Sequence, residues 1–156
     1  MNDRVNTLIE AYELEPHPEG GAFKRVFSSQ ERYEGAGGQR SFAGSIFFLL
    51  GAGDISHFHQ IDCEELWYFH EGCGMKIYII EPDGSSRVEL LGNDVSCGQK
   101  PMVVVGKGAI FAAENIDPEG YTFLSCVTAP QFWFGGFRLV PASELPGTQF
   151  PQRLFL

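Results

Sequence analysis

The stretch GDISHFHQIDCEELWYFHEG, residues 53–72, contains two strand-length runs of apolar, aromatic and β-branched residues separated by a short break. The same alternation of runs and Gly-, Pro- or Asn-rich breaks extends outward in both directions. Strands are predicted at Ala22–Ser28, Phe42–Leu50, Ile55–Gln60, Glu64–His70, Lys76–Glu81, Ser86–Leu91, Pro101–Val105, Ala109–Ala113, Tyr121–Val127 and Phe132–Val140. About ten short strands in one small domain indicate an all-β sandwich or barrel.

The two ends of the chain depart from this pattern. Residues 2–13 are predicted to form one helix, capped by Asn2 or Asp3, because apolar residues recur at helical spacing until Pro16 ends the run. Residues 141–156 hold three prolines and are expected to form an extended arm on the barrel or on a neighbour. The length of 156 residues predicts a single domain. Its expected parts are the helix in 1–15, the barrel in 16–140 and the arm in 141–156.

Composition excludes several classes of function. The net charge of −9 opposes binding to nucleic acid and to anionic membrane surfaces, and no apolar run approaches the length of a membrane span. An N-terminus rich in acidic residues does not have the form of a signal peptide, so we expect a cytoplasmic protein with four free cysteines. Fourteen phenylalanines are more than a barrel core of this size requires, and together with exposed strand edges they predict a homodimer.

Residues 57–65 hold the residue types that carry chemistry. Alternate residues of a strand share a face, so His57 and His59 are expected to point the same way. Two imidazoles and a facing carboxylate, Glu65, form a common ligand set for a divalent metal. The same groups without a metal make a base held by a carboxylate, with His59 and Glu65 as the catalytic pair.

This stretch resembles the first cupin motif, which consists of a Gly, two His separated by one residue, a Glu and a closing Gly. The matching residues are Gly53, His57, His59 and Gly72. The Glu is ambiguous by one place, since Glu64 has the usual spacing from the histidines and Glu65 the usual spacing to the closing Gly. We favour Glu65 because it shares a strand face with the bulky Trp67 and Phe69.

The second cupin motif is matched by Gly106-Lys107-Gly108 and Asn115, but Phe111 stands where that motif has its histidine ligand. A phenylalanine cannot bind metal. The resemblance therefore implies a site for Zn, Ni, Fe or Mn with His57, His59 and Glu65 as ligands, weakened by the loss of the fourth.

A closer resemblance, to the DUF985 (cupin 5) family, extends from about residue 14 to residue 140. It rests on residues 16–23, 45–50, 58–59, 65–67, 82–84, 98–101, 106–108 and 126–130. The resemblance implies a cupin double-stranded β-helix, that is, a jelly-roll barrel, with one short N-terminal helix, and usually a homodimer.

Aromatic residues near the motif are candidates for the wall of a ligand pocket. These candidates are Phe48, Trp67, Phe69 and Phe111, together with Gln99, which can either reach the barrel mouth or bond the backbone of its own turn. For each of these aromatic residues taken singly, a core position is the favoured interpretation. His17 is expected to shape a turn, with Glu19 solvated.

Three functions remain open from the sequence. The first is isomerase- or epimerase-like acid–base chemistry on a sugar- or acid-like small molecule in the barrel. The second is a non-catalytic ligand-binding or sensing module that has lost its metal site. The third is a scaffold with a filled barrel.

Overall fold

The computed structural model describes residues 3–35, 37–147 and 149–156. Its one α-helix in this part, α1, spans Asp3–Tyr12, while Asn2, the alternative cap, lies outside the described residues. The strands are β1 (Glu15–Pro16), β2 (Ala22–Ser28), β3 (Arg32–Gly35), β4 (Gly38–Ser41), β5 (Gly44–Leu50), β6 (Ile55–Ile61), β7 (Glu64–Gly72), β8 (Met75–Ile80), β9 (Ser86–Leu91), β10 (Met102–Val105), β11 (Ile110–Asn115), β12 (Thr122–Ala129) and β13 (Phe137–Leu139). The prediction of an all-β fold with one N-terminal helix is confirmed.

The strands form two main antiparallel sheets. One has the order β1-β2-β5-β12-β7-β10 and the other the order β13-β6-β11-β8-β9. The main core cluster takes residues from both sheets, including Phe48 and Trp67 from the first and Ile77 and Phe111 from the second. Because side chains of both sheets meet in one cluster, the core lies between them, as in a jelly-roll barrel.

Strand β5 shows how the residue pattern determines the packing. Its inward positions include Phe48 and Leu50, which join the barrel core. The alternate residue Leu49 faces the other way and packs with Leu8 of α1 and with Phe123. The continuous apolar run of β5 is therefore buried on both faces, by the barrel interior and by the helix. No helix in the described part of the chain has the length and apolar character needed to cross a membrane.

Two segments differ from the sequence-based expectation. Gly35 and Gly38, which lie in a stretch expected only to separate two strands, belong to a two-stranded hairpin of β3 and β4. The predicted strand Phe132–Val140 is shorter than expected, because a 3-10 turn at Phe134–Gly136 leaves only β13 in the sheet. The indole Nε1 of Trp133 donates a hydrogen bond to Asp62, and this contact with a distant residue holds the segment as a loop.

The C-terminal segment packs on the outside of the five-stranded sheet. It contains two 3-10 turns, Ala142–Glu144 and Gln152–Leu154, and is therefore less extended than predicted. Leu154 is fully buried, and the ring of Phe155 lies 4.8 Å from that of Phe58 on β6. The arm thus covers the outer face of β6, the strand that carries the histidines.

Candidate functional site

A cavity opens near one end of the barrel, where β5 and β7 begin and β12 ends. The space within it that is open to the centres of water molecules is about 30 Å³, room for a molecule of a few non-hydrogen atoms. The wall combines seven polar or ionisable residue types with aromatic and aliphatic side chains. The lining residues are His17, Glu19, Phe23, Arg25, Gly44, Ser45, Ile46, Phe48, His59, Ile61, Glu65, Cys126, Thr128, Gln131 and Phe132.

A bulge in β6 decides which of its side chains enter the cavity wall. Phe111 of β11 pairs with His59 of β6, and Ala113 pairs with Ser56. The two positions are thus two residues apart on β11 but three apart on β6. The extra residue lets Ser56 and His59 face the interior together. Both are buried, and both bind the carboxylate of Glu19.

Glu19 and His59 form a buried ion pair. The Nε2 atom of His59 lies 2.9 Å from Oε2 of Glu19, and Ser56 Oγ donates to Oε1 at 2.7 Å. His59 Nδ1 lies 2.7 Å from the carbonyl oxygen of His57, which can only accept. Both ring nitrogens therefore carry protons, and the ring is an imidazolium facing a carboxylate.

The pKa shifts of the two partners agree with this assignment. Burial alone lowers the pKa of His59, but the charge and hydrogen bond of Glu19 outweigh it, and the pKa of His59 is raised. Burial alone raises the pKa of Glu19, but its contacts with His59 outweigh it, and the pKa of Glu19 is lowered. Each partner stabilises the charged form of the other, so the pair is internally neutralised.

Glu19 reaches this position because the chain turns at Gly20 in close contact with the backbone of β6. Gly20 has a φ of 114°, and a Cβ atom at this position would overlap the backbone oxygen of Ile55. The carbonyl oxygen of Glu19 also accepts hydrogen bonds from the backbone N–H and from Nδ1 of His57, both at 2.8 Å. The β1–β2 connection is thus fastened directly to β6.

Gly20→Ala is expected to lower the free energy of unfolding by about 2–3 kcal/mol, because both the positive φ and the overlap with Ile55 oppose a side chain. Gly53→Ala is the matched control. Gly53 has a φ of 75° with open space around it, so only the backbone strain remains and we expect a loss of about 1 kcal/mol. Urea unfolding measures both values. Equal losses in the two variants would show that the close approach of Gly20 to β6 does not constrain the fold.

Glu65 is a second buried carboxyl group in the cavity wall. It is 8% exposed, whereas Glu64 beside it is exposed. Burial and the nearby negative charge of Glu19 raise the pKa of Glu65 to about 7, although His59 and a hydrogen bond with Cys126 act in the opposite direction. The pKa of the Cys126 thiol is raised well above its ordinary value by burial and by Glu65. At neutral pH Glu65 is therefore poised between its two protonation states, beside a protonated thiol.

The stability of the fold is expected to fall as Glu65 ionises. Its native pKa is about 7 against an ordinary 4.5, so between these pH values the native state binds more protons than the unfolded chain. The free energy of unfolding should then decrease by about 3 kcal/mol as the pH rises through this window. Glu65→Gln cannot ionise and should lack this slope when unfolding is measured at about pH 5 and about pH 8. If the free energy of unfolding of Glu65→Gln fell with pH as steeply as that of the wild type, Glu65 would not be the source of the pH dependence.

His17 is a neutral member of the same wall. Its Nδ1 accepts the backbone N–H of Glu19 at 3.2 Å, and burial lowers the pKa of His17. His17 is therefore uncharged. Its Nδ1 lies 3.7 Å from Glu19 Oε2 but does not form an ion pair with it. The ring lies in an aromatic cluster with Phe23, at a centroid distance of 4.6 Å, and with Phe132 at 6.1 Å. His17 thus acts as a polar member of an otherwise aromatic enclosure.

The loop of residues 131–136 closes one side of the cavity. Arg40, which is 8% exposed, binds both oxygens of Asp62 at 3.0 and 3.1 Å and donates to the backbone oxygen of Gln131. Trp133 donates to the same Asp62 carboxylate at 2.9 Å. These contacts hold Gln131 and Phe132 over the cavity.

The structure brings some of the sequence-predicted site residues together and leaves others apart. His59, Glu65 and Phe48 line the cavity. Trp67 and Phe111 lie in the core behind it, and the ring of Phe111 is 4.1 Å from that of His59. Phe69 is partly buried against the same core.

His57 and Gln99 lie away from the cavity wall. The imidazole of His57 bonds the carbonyl oxygen of Glu19, because the bulge in β6 breaks the alternation that would have placed it beside His59. The side chain of Gln99 accepts a hydrogen bond from the backbone N–H of Asp94 at 3.0 Å, so it stabilises the turn in which it lies.

The residues at the expected metal position do not fit a metal ion. Within the described residues no group of three or more His, Cys, Asp or Glu side chains is arranged to hold one. Both nitrogens of His59 already have partners, and the fully buried ring of Phe111 fills the space next to it.

Sequence reasoning missed Glu19, which is buried and paired with His59 rather than solvated. A usable signal was the Glu followed directly by Gly20 and Gly21, since consecutive glycines often mark a close backbone approach. Cys126, Thr128, Arg25 and Gln131 were also missed, because only strand pairing brings them to the cavity.

Comparisons with known proteins agree with this fold. A protein of Shewanella oneidensis is 35% identical, with a TM-score of 0.83, over 90% of this chain and 86% of its own. A hypothetical protein from Leishmania major is 28% identical, with a TM-score of 0.81, over 90% of this chain and 89% of its own. A mutant of oxalate decarboxylase from Bacillus subtilis is 16% identical, with a TM-score of 0.59, over 90% of this chain and 33% of its own, which shows a shared fold alone.

A search of curated proteins gave no significant match. The model of the family described as "Cupin superfamily (DUF985)" matches residues 6–140, which is most of the chain. This match confirms the resemblance found in the sequence motifs. The chain therefore belongs to the DUF985 family of the cupin superfamily.

Proposed function

We propose that this cupin binds a short hydroxycarbonyl compound in the barrel cavity and transfers a proton at the carbon next to the carbonyl group. The observation that carries the proposal is the buried Glu65 in the cavity wall, beside an internally neutralised Glu19–His59 pair. A carboxylate with a pKa near the working pH is well matched to take and return a proton.

Glu65 has the role of the base. Its carboxylate takes the proton from the carbon, the C–H bond breaks, and the electron pair moves to the carbonyl oxygen to give an enolate. The hydroxyl proton of this enediolate passes to the adjacent enolate oxygen. Glu65, whose own proton can exchange with solvent, returns a proton to the former carbonyl carbon, and the former hydroxyl oxygen becomes the new carbonyl oxygen. A single base suffices for this isomerisation, and the apolar side chains Phe48 and Ile61 keep water from the reacting carbon.

His59 acts by its charge. Both of its nitrogens are engaged, so it does not accept a proton from the ligand. Its imidazolium nevertheless lies in the cavity wall, where the positive end of the ion pair stabilises the negative charge that develops on the enolate oxygen. Glu19 is the positioning residue, since it keeps His59 protonated and in place.

Proton exchange tests the proposal. The full chain is incubated in D₂O with a panel of short hydroxyaldehydes, hydroxyketones and hydroxyketo acids, and loss of the proton next to the carbonyl is followed by NMR. We expect exchange above the rate without protein for at least one class, with an isomerised product. The proposal would be defeated if neither exchange nor isomerised product exceeded the level in buffer alone for any member of the panel.

A further inference from the structure

Arg25 is a basic residue in the wall of the cavity. It lies on β2 two places after Phe23, and these two residues pair with Ile46 and Phe48 of β5, which also line the cavity. Since alternate residues share a face, Arg25 stands on the inner face of β2, at the mouth of the barrel. A bulge between Arg25 and Phe27 follows directly, a feature that commonly re-aims side chains beside functional sites.

Arg25 differs from most arginines of this chain in its partners. The arginines that bind a carboxylate are Arg4, Arg40, Arg87, Arg138 and Arg153. Among the described residues Arg25 forms no ion pair, and its one hydrogen bond goes from Nη2 to the backbone oxygen of Phe132 at 3.3 Å. In a chain with a net charge of −9, a guanidinium left without a carboxylate at a cavity mouth is available to an anion.

Gln131 offers a second unsatisfied group in the same wall. Its Oε1 atom is buried and accepts no hydrogen bond from the described residues. The side chain packs closely over Gly44, where a Cβ would lie 2.6 Å from Cγ of Gln131, so the amide is held in place. A buried acceptor without a donor is costly, and a hydroxyl group of a ligand would satisfy it.

We infer that the substrate is a short carboxylic acid that also carries a hydroxyl group, with Arg25 binding its carboxylate and Gln131 accepting from its hydroxyl. This inference rests on the proposed function and narrows its substrate class. The Glu19–His59 pair is neutral as a unit, so Arg25 is the one positive charge of the wall that no carboxylate of the described residues binds. The space of about 30 Å³ holds only about two or three water molecules, so the ligand is a small acid whose carboxylate lies at the open mouth beside Arg25.

Three probes with the same three-carbon skeleton separate the two contacts. Hydroxypyruvate has both groups, 1,3-dihydroxyacetone has a hydroxymethyl group in place of the carboxylate, and pyruvate has a methyl group in place of the hydroxymethyl. Titration calorimetry at low salt is expected to show hydroxypyruvate binding about tenfold or more tightly than either analogue. Added salt should weaken the binding of both acids and leave that of dihydroxyacetone unchanged.

Variants assign the contacts to residues. Arg25→Gln should weaken the binding of both acids about tenfold and leave that of dihydroxyacetone unchanged. Arg32→Gln is the matched control, because Arg32 also forms no ion pair within the described residues but lies on the β3–β4 hairpin and not in the cavity wall. Gln131→Leu should bring the affinity for hydroxypyruvate down to that for pyruvate.

Three results would overturn the inference: equal affinity of the wild type for hydroxypyruvate and dihydroxyacetone, no binding of either acid at millimolar concentration, or equal effects of Arg25→Gln and Arg32→Gln. Its failure is distinct from that of the proposed function. Arg25-dependent binding without proton exchange keeps the inference and removes the reaction. Exchange of neutral hydroxyketones that is unaffected by Arg25→Gln keeps the reaction and removes the inference.

Discussion

Glu65→Gln is expected to reduce the rate of proton exchange by about 100- to 10,000-fold, because the amide keeps the shape of the carboxyl group but cannot take a proton. Glu64→Gln is a close control, since Glu64 is adjacent on β7 and exposed. The wild-type rate should rise with pH and level off above the Glu65 pKa of about 7, since the carboxylate is the active form. NMR exchange rates across this range measure both effects.

The variant also separates reaction from binding. Glu65→Gln removes a buried ionisable group that destabilises the fold at high pH, so the protein should remain folded and bind its ligand. Equal rates in Glu65→Gln and Glu64→Gln would rule out Glu65 as the base. Tight binding by the wild type with no exchange at all would instead assign the cavity to a sensing module.

Glu19→Ala is expected to destabilise the fold by about 3–5 kcal/mol, because it leaves the buried His59 without the carboxylate that neutralises it. Glu15→Ala is the control, as Glu15 is exposed on β1 in the same segment. Glu19→Gln should fall between the two, since its amide can still donate to a neutral His59. The free energies of unfolding in urea give all three values.

The double variant Glu19→Ala/His59→Ala sharpens this test. If the two residues act as a pair, the combined loss is smaller than the sum of the single losses, because the second substitution removes the group stranded by the first. Losses for Glu19→Ala no larger than for Glu15→Ala would mean that the pair contributes nothing to stability.

Local periodicity made most of the barrel predictable. Strands β2 and β9 have the predicted bounds, Ala22–Ser28 and Ser86–Leu91, because each is a compact run bounded by residues that favour turns. The segment after residue 131 was predicted less well, because its conformation depends on contacts of Trp133 with Asp62 and with Gly37. The residues that make these contacts lie far apart in the chain, so the contacts leave no periodic signal in the sequence.

The candidate site likewise contains residues that the sequence pattern predicted and residues that it did not. Glu65 was distinguished from Glu64 by the strand alternation that places it with Trp67. The position of His57 depends on a bulge, which shifts the alternation by one residue and has no reliable local signature. Glu19 comes from a segment without a strand pattern, so its burial follows from docking against β6 and not from its own neighbours.

The predicted homodimer stays a prediction. Strand β10 is an edge strand whose exposed Met102 pairs in register with the exposed Tyr68 of β7. Val104, two places along, is exposed on the same face. This apolar edge is where a second copy would be expected to add its own strand.

The buried pair of Glu19 and His59 divides the site into positions that hold it together and positions that can vary. Changes at 19 or 59 threaten the whole fold, so few of them would survive selection or an engineering screen. Arg25 and Gln131, at the rim, carry little of the architecture. Relatives of this chain could therefore acquire new ligands by exchanging residues at the rim while the Glu19–His59 pair stays unaltered. Libraries aimed at new specificities should begin at positions 25 and 131.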